Sequence, residues 1–135
     1  MSVEEFITRI GIALLLGTAI GFERQWRQGM AGLRTNALVA TGAAMFVGLS
    51  HLNGEEAGQS RMAAQVVSGI GFLGAGVIMR EGLNIRGLNT AATLWGAAAV
   101  GTLAGSGAAL FAACGAAGIL AVNVLLRPVA RRINM

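Results

Sequence analysis

Long runs of apolar and small residues alternate along this chain with short stretches that carry nearly all of its charges. Four of the runs cover about 5–22, 36–52, 62–79 and 108–126, and a fifth, over 89–105, is weaker because it is mostly alanine and glycine. At 1.5 Å per residue such helices reach roughly 26 to 29 Å, close to the thickness of a bilayer's hydrocarbon layer. A helical bundle in water needs polar outer faces on most of its helices, and none of the five shows one. The pattern predicts an all-α integral membrane helical bundle of about five transmembrane helices, forming a single transmembrane domain over 1–135.

Composition points the same way. The chain is 55% hydrophobic and 12% charged, where ordinary soluble domains carry about 25% charged residues. Its basic residues are ten arginines with no lysine. Arg24, Arg27 and Arg34 follow the first run, Arg80 and Arg86 follow the third, and Arg127, Arg131 and Arg132 follow the fifth, so these eight share one side of an up-and-down bundle. Only Arg9 and Arg61 fall on the other, beside Glu4, Glu5, Glu55 and Glu56. This excess predicts a multi-pass protein with its N-terminus outside and its C-terminus in the cytoplasm. The opening "MSVEEF" is acidic where a signal peptide is basic, so the first run is expected to stay as a span. Membrane lipid headgroups explain the charge of +4 before nucleic acid does, and no nucleic-acid partner is expected. Cys114 is single and forms no internal disulfide.

The octet "GIGFLGAG" at 69–76 contains G-x-G-x-x-G, the spacing of a dinucleotide-binding loop. That use needs a strand before it and an acid roughly 20 residues after it. The octet instead lies inside the third run, and Asn89 and Thr90 stand where the acid would be, so a bound nucleotide is not expected. Glycines in a span let two helices approach closely. Gly69, Gly71, Gly74 and Gly76, with the small-xxx-small pairs Gly17 and Gly21, and Gly101 and Gly105, are read as helix-packing positions. A sharper alternative is a bend in the octet that exposes backbone carbonyls to a cavity.

Displaced by 55 positions, "GFERQWRQGMAGLRTNAL" (21–38) overlays "GVIMREGLNIRGLNTAAT" (76–93), matching Gly21 with Gly76, Gly32 with Gly87 and Thr35 with Thr90. Each copy leaves a span, crosses an arginine-bearing loop and enters the next span through G-L-[RN]-T. The expectation is a tandem hairpin repeat, helices 1-2 and 3-4 in one orientation, with a fifth helix added. Thr35 or Asn36, and Asn89 or Thr90, suit the N-caps of the second and fourth helices. Two helix N-termini beside Arg34 and Arg86 would also attract an anion: a phospholipid headgroup, a nucleotide phosphate or an acidic loop of a partner.

Four motifs in order, "GFERQ", "GLRTN", "GIGFLGAG" and "RGLNTAATLW", resemble those of the MgtC/SapB family of bacterial inner-membrane proteins, and the resemblance covers about 10–128. It implies a hydrophobic domain of about five spans. It also implies a regulatory role in adaptation to magnesium limitation and, in pathogens, in virulence and survival inside macrophages. The proton-translocating ATP synthase is among the targets proposed for the family. Glu23, Arg24, Arg34, Thr35, Arg86, Asn89 and Thr90 fall on motif positions and are the candidate functional or anion- and partner-binding residues. Gln25 stands where the family usually has a second acid, and Asn36 where it often has histidine. Many members carry a soluble cytoplasmic domain after the last span; this sequence stops at "RRINM", and roles of that domain are not implied.

Three function classes compete. A non-enzymatic regulator would dock through its spans and arginine loops onto another membrane complex or a second copy, and the abundant small residues favour a homo-oligomer, a dimer first. A transporter of magnesium or another cation needs oxygen ligands in the membrane. The spans offer only Glu23, at a helix end, with Gln65, Ser68 and Asn123 as a thin lining. An enzyme needs a nucleophile paired with a base, and His51 and Cys114 lie in different spans at different depths. No catalytic residue, metal ligand or cofactor is assigned. His51 at an outer helix end reads as interfacial, or else as a pH sensor. Trp26 and Trp95 read as interfacial anchors. "RQWRQGMAGLR" (24–34) suits a short surface helix in which Glu23 is a counter-ion of the neighbouring arginines.

Overall fold

The computed structural model describes residues 1–27, 31–52 and 56–133. Five helices follow in order: α1 (Val3–Trp26), α2 (Leu33–Leu52), α3 (Glu56–Val77), α4 (Leu88–Gly105) and α5 (Ala109–Ile133). Between α3 and α4 stand two short strands, β1 (Met79–Glu81) and β2 (Asn84–Arg86). The helices come where the hydropathy pattern places them, with longer ends. Ser2 caps α1 by accepting the Glu5 N–H at 3.1 Å, and Glu4 and Glu5 set negative charge against the positive end of the helix dipole. At the other end α1 runs on to Trp26 and takes in the start of the 24–34 segment; residues 28–30 of that segment lie outside the described residues, as does Glu55.

Side-chain contacts fix the path. Arg24 near the end of α1 reaches Thr90 at the start of α4, while Arg9 near the start of α1 donates to the Gly105 carbonyl at the end of α4 at 3.2 Å. α4 therefore lies antiparallel to α1 along its whole length. His51 on α2 meets Gln59 on α3 at 3.0 Å, which brings the last turn of α2 beside the start of α3. Of the five, α1, α2 and α5 are long and apolar enough to cross a membrane by themselves. α3 falls short of that measure chiefly through Arg61 and Gln65, and α4 through Asn89, its threonines and its glycines; they run beside the other three.

The packing is built on small residues. A Cβ added at Gly17 would come within 2.7 Å of the Ala40 methyl group, and one at Gly21 within 2.8 Å of the Gly32 carbonyl and Leu33. Along the same stretch of α2, Gly101 meets the Ala40 carbonyl and Gly105 the Ala44 carbonyl, again with no space for a Cβ. α2 is thus clasped between α1 and α4 at backbone contact, where dispersion replaces the hydrophobic drive that lipid does not supply. The main core is mostly alanine: Ala13, Ala44, Ala97, Ala104, Ala112 and Ala116, with Ile20 and Val100. A second cluster, Ala31, Ile70, Leu94 and Ala98, holds α3. Most of the large apolar side chains point outward instead: Phe72 is 84% exposed, and Leu15 and Phe111 are 71% exposed. Contiguous exposed hydrophobic surface of this kind belongs in a bilayer.

The octet behaves differently from the other small-residue pairs. α3 passes through it as an unbroken helix, so the bend does not form. Outside the backbone of α3 itself, Gly69, Gly71 and Gly76 have no atom of the described residues within 4 Å of an added Cβ, and Gly74 meets the Ala91 methyl group at 3.6 Å. Ile70 and Gly74 face α4, while α3 turns Gly69, Gly71 and Gly76 outward, so only one side of the octet packs within the chain.

The tandem repeat is visible in the backbone: α2 and α4 open at Leu33 and Leu88, the same 55-residue offset. Their approaches differ. The first is closed by Gln25, whose Oε1 accepts the Leu33 N–H at 3.3 Å. The second is a two-stranded antiparallel ribbon in which Met79 pairs with Arg86, Arg80 with Ile85 and Glu81 with Asn84. Gly82, at φ +64°, opens its two-residue turn, as such hairpins require. α4 ends in a Schellman motif: Ala108 N–H bonds the Leu103 carbonyl, Gly107 N–H bonds the Ala104 carbonyl, and Gly107 sits at φ +88°.

Candidate functional site

Among the described residues six polar ones are buried: Glu23, Asn36, Ser50, Thr90, Thr93 and Asn123. All but Ser50 gather where α1 ends, α2 and α4 begin and α5 approaches its C-terminus. Interhelical hydrogen bonds join part of this group. Asn123 on α5 donates through Nδ2 to Thr93 Oγ1 on α4 at 3.2 Å, and its Oδ1 accepts from Asn89 Nδ2 at 3.3 Å. Arg24 Nη2 donates to Thr90 Oγ1 at 3.4 Å. Glu23, with 8% of its surface exposed, meets Arg27 Nε at 3.7 Å, an ion pair too long for a hydrogen bond. Neither oxygen of Glu23 accepts a hydrogen bond, and Arg24 Nε and Asn36 Oδ1 are likewise buried and unmatched. Arg127 on α5 shares the electrostatic field of Glu23, Arg24 and Arg27.

The expected helix caps are not made. Gly87 is the N-cap of α4, and no side chain caps that end. Asn89 turns to α5 and Thr90 to Arg24 instead. α2 begins at Leu33, which places Thr35 and Asn36 inside its first turn. The cap arrives from across the turn through Gln25, while Asn36 donates back to the Ala31 and Gly32 carbonyls at 3.0 and 2.9 Å.

Of the seven candidate residues, the structure brings Glu23, Arg24, Asn89 and Thr90 together around the α1–α4–α5 contact. Arg34, Thr35 and Arg86 are exposed at the same end, and their side chains make no hydrogen bond or ion pair among the described residues. Sequence reading placed Asn123 only in a thin cation path and Arg27 only among the arginines neighbouring Glu23, and it did not single out Thr93 or Arg127. Asn123 interrupts the apolar run "ILAVNVLL", and a polar residue inside a span is itself a signal. Thr93 carries no such mark until its partner is known.

The other chemical readings find no geometry. Gln65 and Ser68 are exposed on α3, apart from Asn123, so the three do not line a common path. His51 pairs with Gln59, and Cys114 is exposed on α5. Among the described residues no group of three or more His, Cys, Asp or Glu side chains gathers to hold a metal.

The sequence model of the MgtC family matches residues 10–132. The chain belongs to the MgtC family. It is 60% identical over 134 residues to Protein MgtC of Salmonella typhimurium, an alignment covering 99% of this chain and 58% of that protein. Protein MgtC of Brucella abortus is 62% identical over 116 residues, 86% of this chain and 49% of that one. An uncharacterized protein of Synechocystis is 54% identical over 134 residues, 99% and 57% of the two chains. The chain thus spans 58% of the Salmonella MgtC protein's length. No solved structure matches. None of these relatives carries an enzymatic name. The polar end of the bundle combines exposed arginines with a buried carboxylate, Glu23, whose ion-pair partner Arg27 is itself exposed.

Proposed function

We propose that this MgtC-family chain is a non-enzymatic regulator of the bacterial inner membrane. Its N-terminus lies outside and its C-terminus in the cytoplasm, and all five helices cross. It acts on a membrane partner in adaptation to low magnesium and, in a pathogen, in survival inside macrophages; an ATP synthase is the partner class the family resemblance implies. The observation that carries this reading is the pair of free cations Arg34 and Arg86, exposed at the same end without partners among the described residues. Nearby, Glu23 already has Arg27 as its counter-ion. Unpaired guanidiniums at a membrane surface recruit carboxylate or phosphate through bidentate hydrogen bonds. With Arg34→Glu and Arg86→Glu, crosslinking in intact membranes is expected to lose the partner while insertion is unchanged; undiminished capture would count against the proposal. The outward glycines of α3 offer a face to a second copy, and a homodimer is the proposed state.

A second reading, cation transport, is favoured by one observation. The Glu23 carboxylate is buried and accepts no hydrogen bond, and it belongs to a helix able to cross the membrane. Mg²⁺ flux through the purified chain in sealed liposomes tests it, with Glu23→Gln and Arg34→Ala as controls. Saturable flux that Glu23→Gln abolishes would put transport first; its absence from inserted, folded protein leaves the regulator.

A further inference from the structure

Glu23 and Arg24 are consecutive, oppositely charged, and each carries hydrogen-bonding capacity that the protein leaves unused. Both carboxylate oxygens of Glu23 and the Nε of Arg24 are buried without a hydrogen-bond partner, although Arg24 Nη2 holds Thr90 and Arg27 approaches Glu23. A buried polar group without a partner carries the full cost of its desolvation, so native proteins rarely keep one unless something else binds there. The two orphans have opposite signs, and this restricts the ligand. A bare metal cation would meet the guanidiniums of Arg24 and Arg27, and a simple anion would meet the Glu23 carboxylate. A zwitterion with an ammonium and a phosphate a few bonds apart satisfies both. The ammonium has three donors for the two carboxylate oxygens, and phosphate is the natural acceptor for arginine.

We propose that Glu23, Arg24 and Arg27 form a seat for a phosphoethanolamine headgroup, with the ammonium on Glu23 and the phosphate on Arg24 and Arg27. The proposal rests on the reading that this end of the bundle meets the cytoplasmic headgroup layer. Arg27 covers the carboxylate in the structure. Its side chain is 39% exposed, and the 3.7 Å ion pair is its hold on Glu23. The ammonium displaces it, and the freed guanidinium swings onto the phosphate. The same chemistry reaches the site from a phospholipid or from free phosphoethanolamine. A choline headgroup does not fit, because its quaternary ammonium has no N–H to donate.

The test is lipid retention by the full chain, purified in detergent and measured by native mass spectrometry. The probes are phosphatidylethanolamine, phosphatidylcholine and phosphatidylglycerol with identical acyl chains. The ethanolamine lipid is expected to be retained about tenfold or more over the other two, the scale of a charge-assisted hydrogen bond, and Glu23→Gln is expected to remove that preference. Equal retention of the three lipids by the unaltered chain overturns the proposal, and so does an unchanged preference in folded Glu23→Gln. Should that variant fail to fold, the ethanolamine-to-choline ratio on the unaltered chain decides alone. Displacement of bound lipid by free phosphoethanolamine at equal concentration assigns the seat to the soluble zwitterion; its failure to compete assigns it to the lipid. Partner capture by Arg34→Glu and Arg86→Glu is read separately, so loss of capture with lipid preference intact distinguishes the regulatory reading from this one.

Discussion

At Gly101 an added methyl group would run into the carbonyl of Ala40, a backbone atom that cannot move aside. At Gly69 the same methyl group would meet open space. Gly101→Ala is therefore expected to lower stability in micelles by about 1–3 kcal/mol, the usual cost of overpacking. Gly69→Ala is expected to be neutral or to raise stability by about 0.5–1 kcal/mol through helix propensity. Thermal unfolding of the two variants side by side checks this, and equal effects would mean that the clasp of α2 is not as tight as described. Gly107 presents a different constraint. Its φ is +88°, and the Arg9 guanidinium lies over it, so Gly107→Ala is expected to cost about 1–2 kcal/mol through backbone strain and to loosen Arg9 from the α4 terminus. Identical glycines thus carry different demands, set by what stands opposite each.

Between elements, the contacts that give α5 its register are polar. Asn123 bridges Asn89 and Thr93 on a helix that otherwise packs Ala112, Ala116, Ile119 and Leu120 against the core. A double-mutant cycle of Asn123→Ala and Thr93→Ala should show a coupling of about 0.5–1.5 kcal/mol, the range of interhelical hydrogen bonds in membranes; no coupling would mean that α5 is held by shape alone. Much of this level was legible in the sequence. Five apolar runs became five helices, and Gly17, Gly21, Gly101 and Gly105 sit at helix contacts. The rest was not legible for physical reasons. Three-residue strands are too short to show alternation, so the Met79–Arg86 ribbon left only Gly82 as a trace. Asn89 and Thr90 look like caps by local chemistry, and partners on α5 and α1 override that chemistry. Glycine spacing in the octet says that a helix is small on one side, and says nothing about whether its own chain has a helix to put there. For the candidate site, the motifs located Glu23, Arg24, Asn89 and Thr90, while Thr93 depended on tertiary pairing.

For the whole molecule the distribution of charge is the basis of the proposed orientation. Arg24, Arg27, Arg34, Arg86, Arg127, Arg131 and Arg132 share the end where α2 and α4 begin. Arg9 and Arg61 belong to the opposite ends of α1 and α3. In a Cys114→Ser background, Arg86→Cys is expected to react with a membrane-impermeant maleimide only after cells are opened, and Glu4→Cys in intact cells. The reverse labelling would invert the molecule. The clasp of α2 also has a consequence for the order of synthesis. One flank of α2 receives α1, which is made first. The other waits for Gly101 and Gly105 on α4, which leave the ribosome only after all of α3 and the ribbon. Until then the Ala40 and Ala44 carbonyls lack the α4 glycines that cover them, and lipid or the insertion machinery must cover them instead. A nascent chain halted after α3 is consequently a half-closed intermediate, and the membrane's quality-control proteases should clear it faster than the finished bundle.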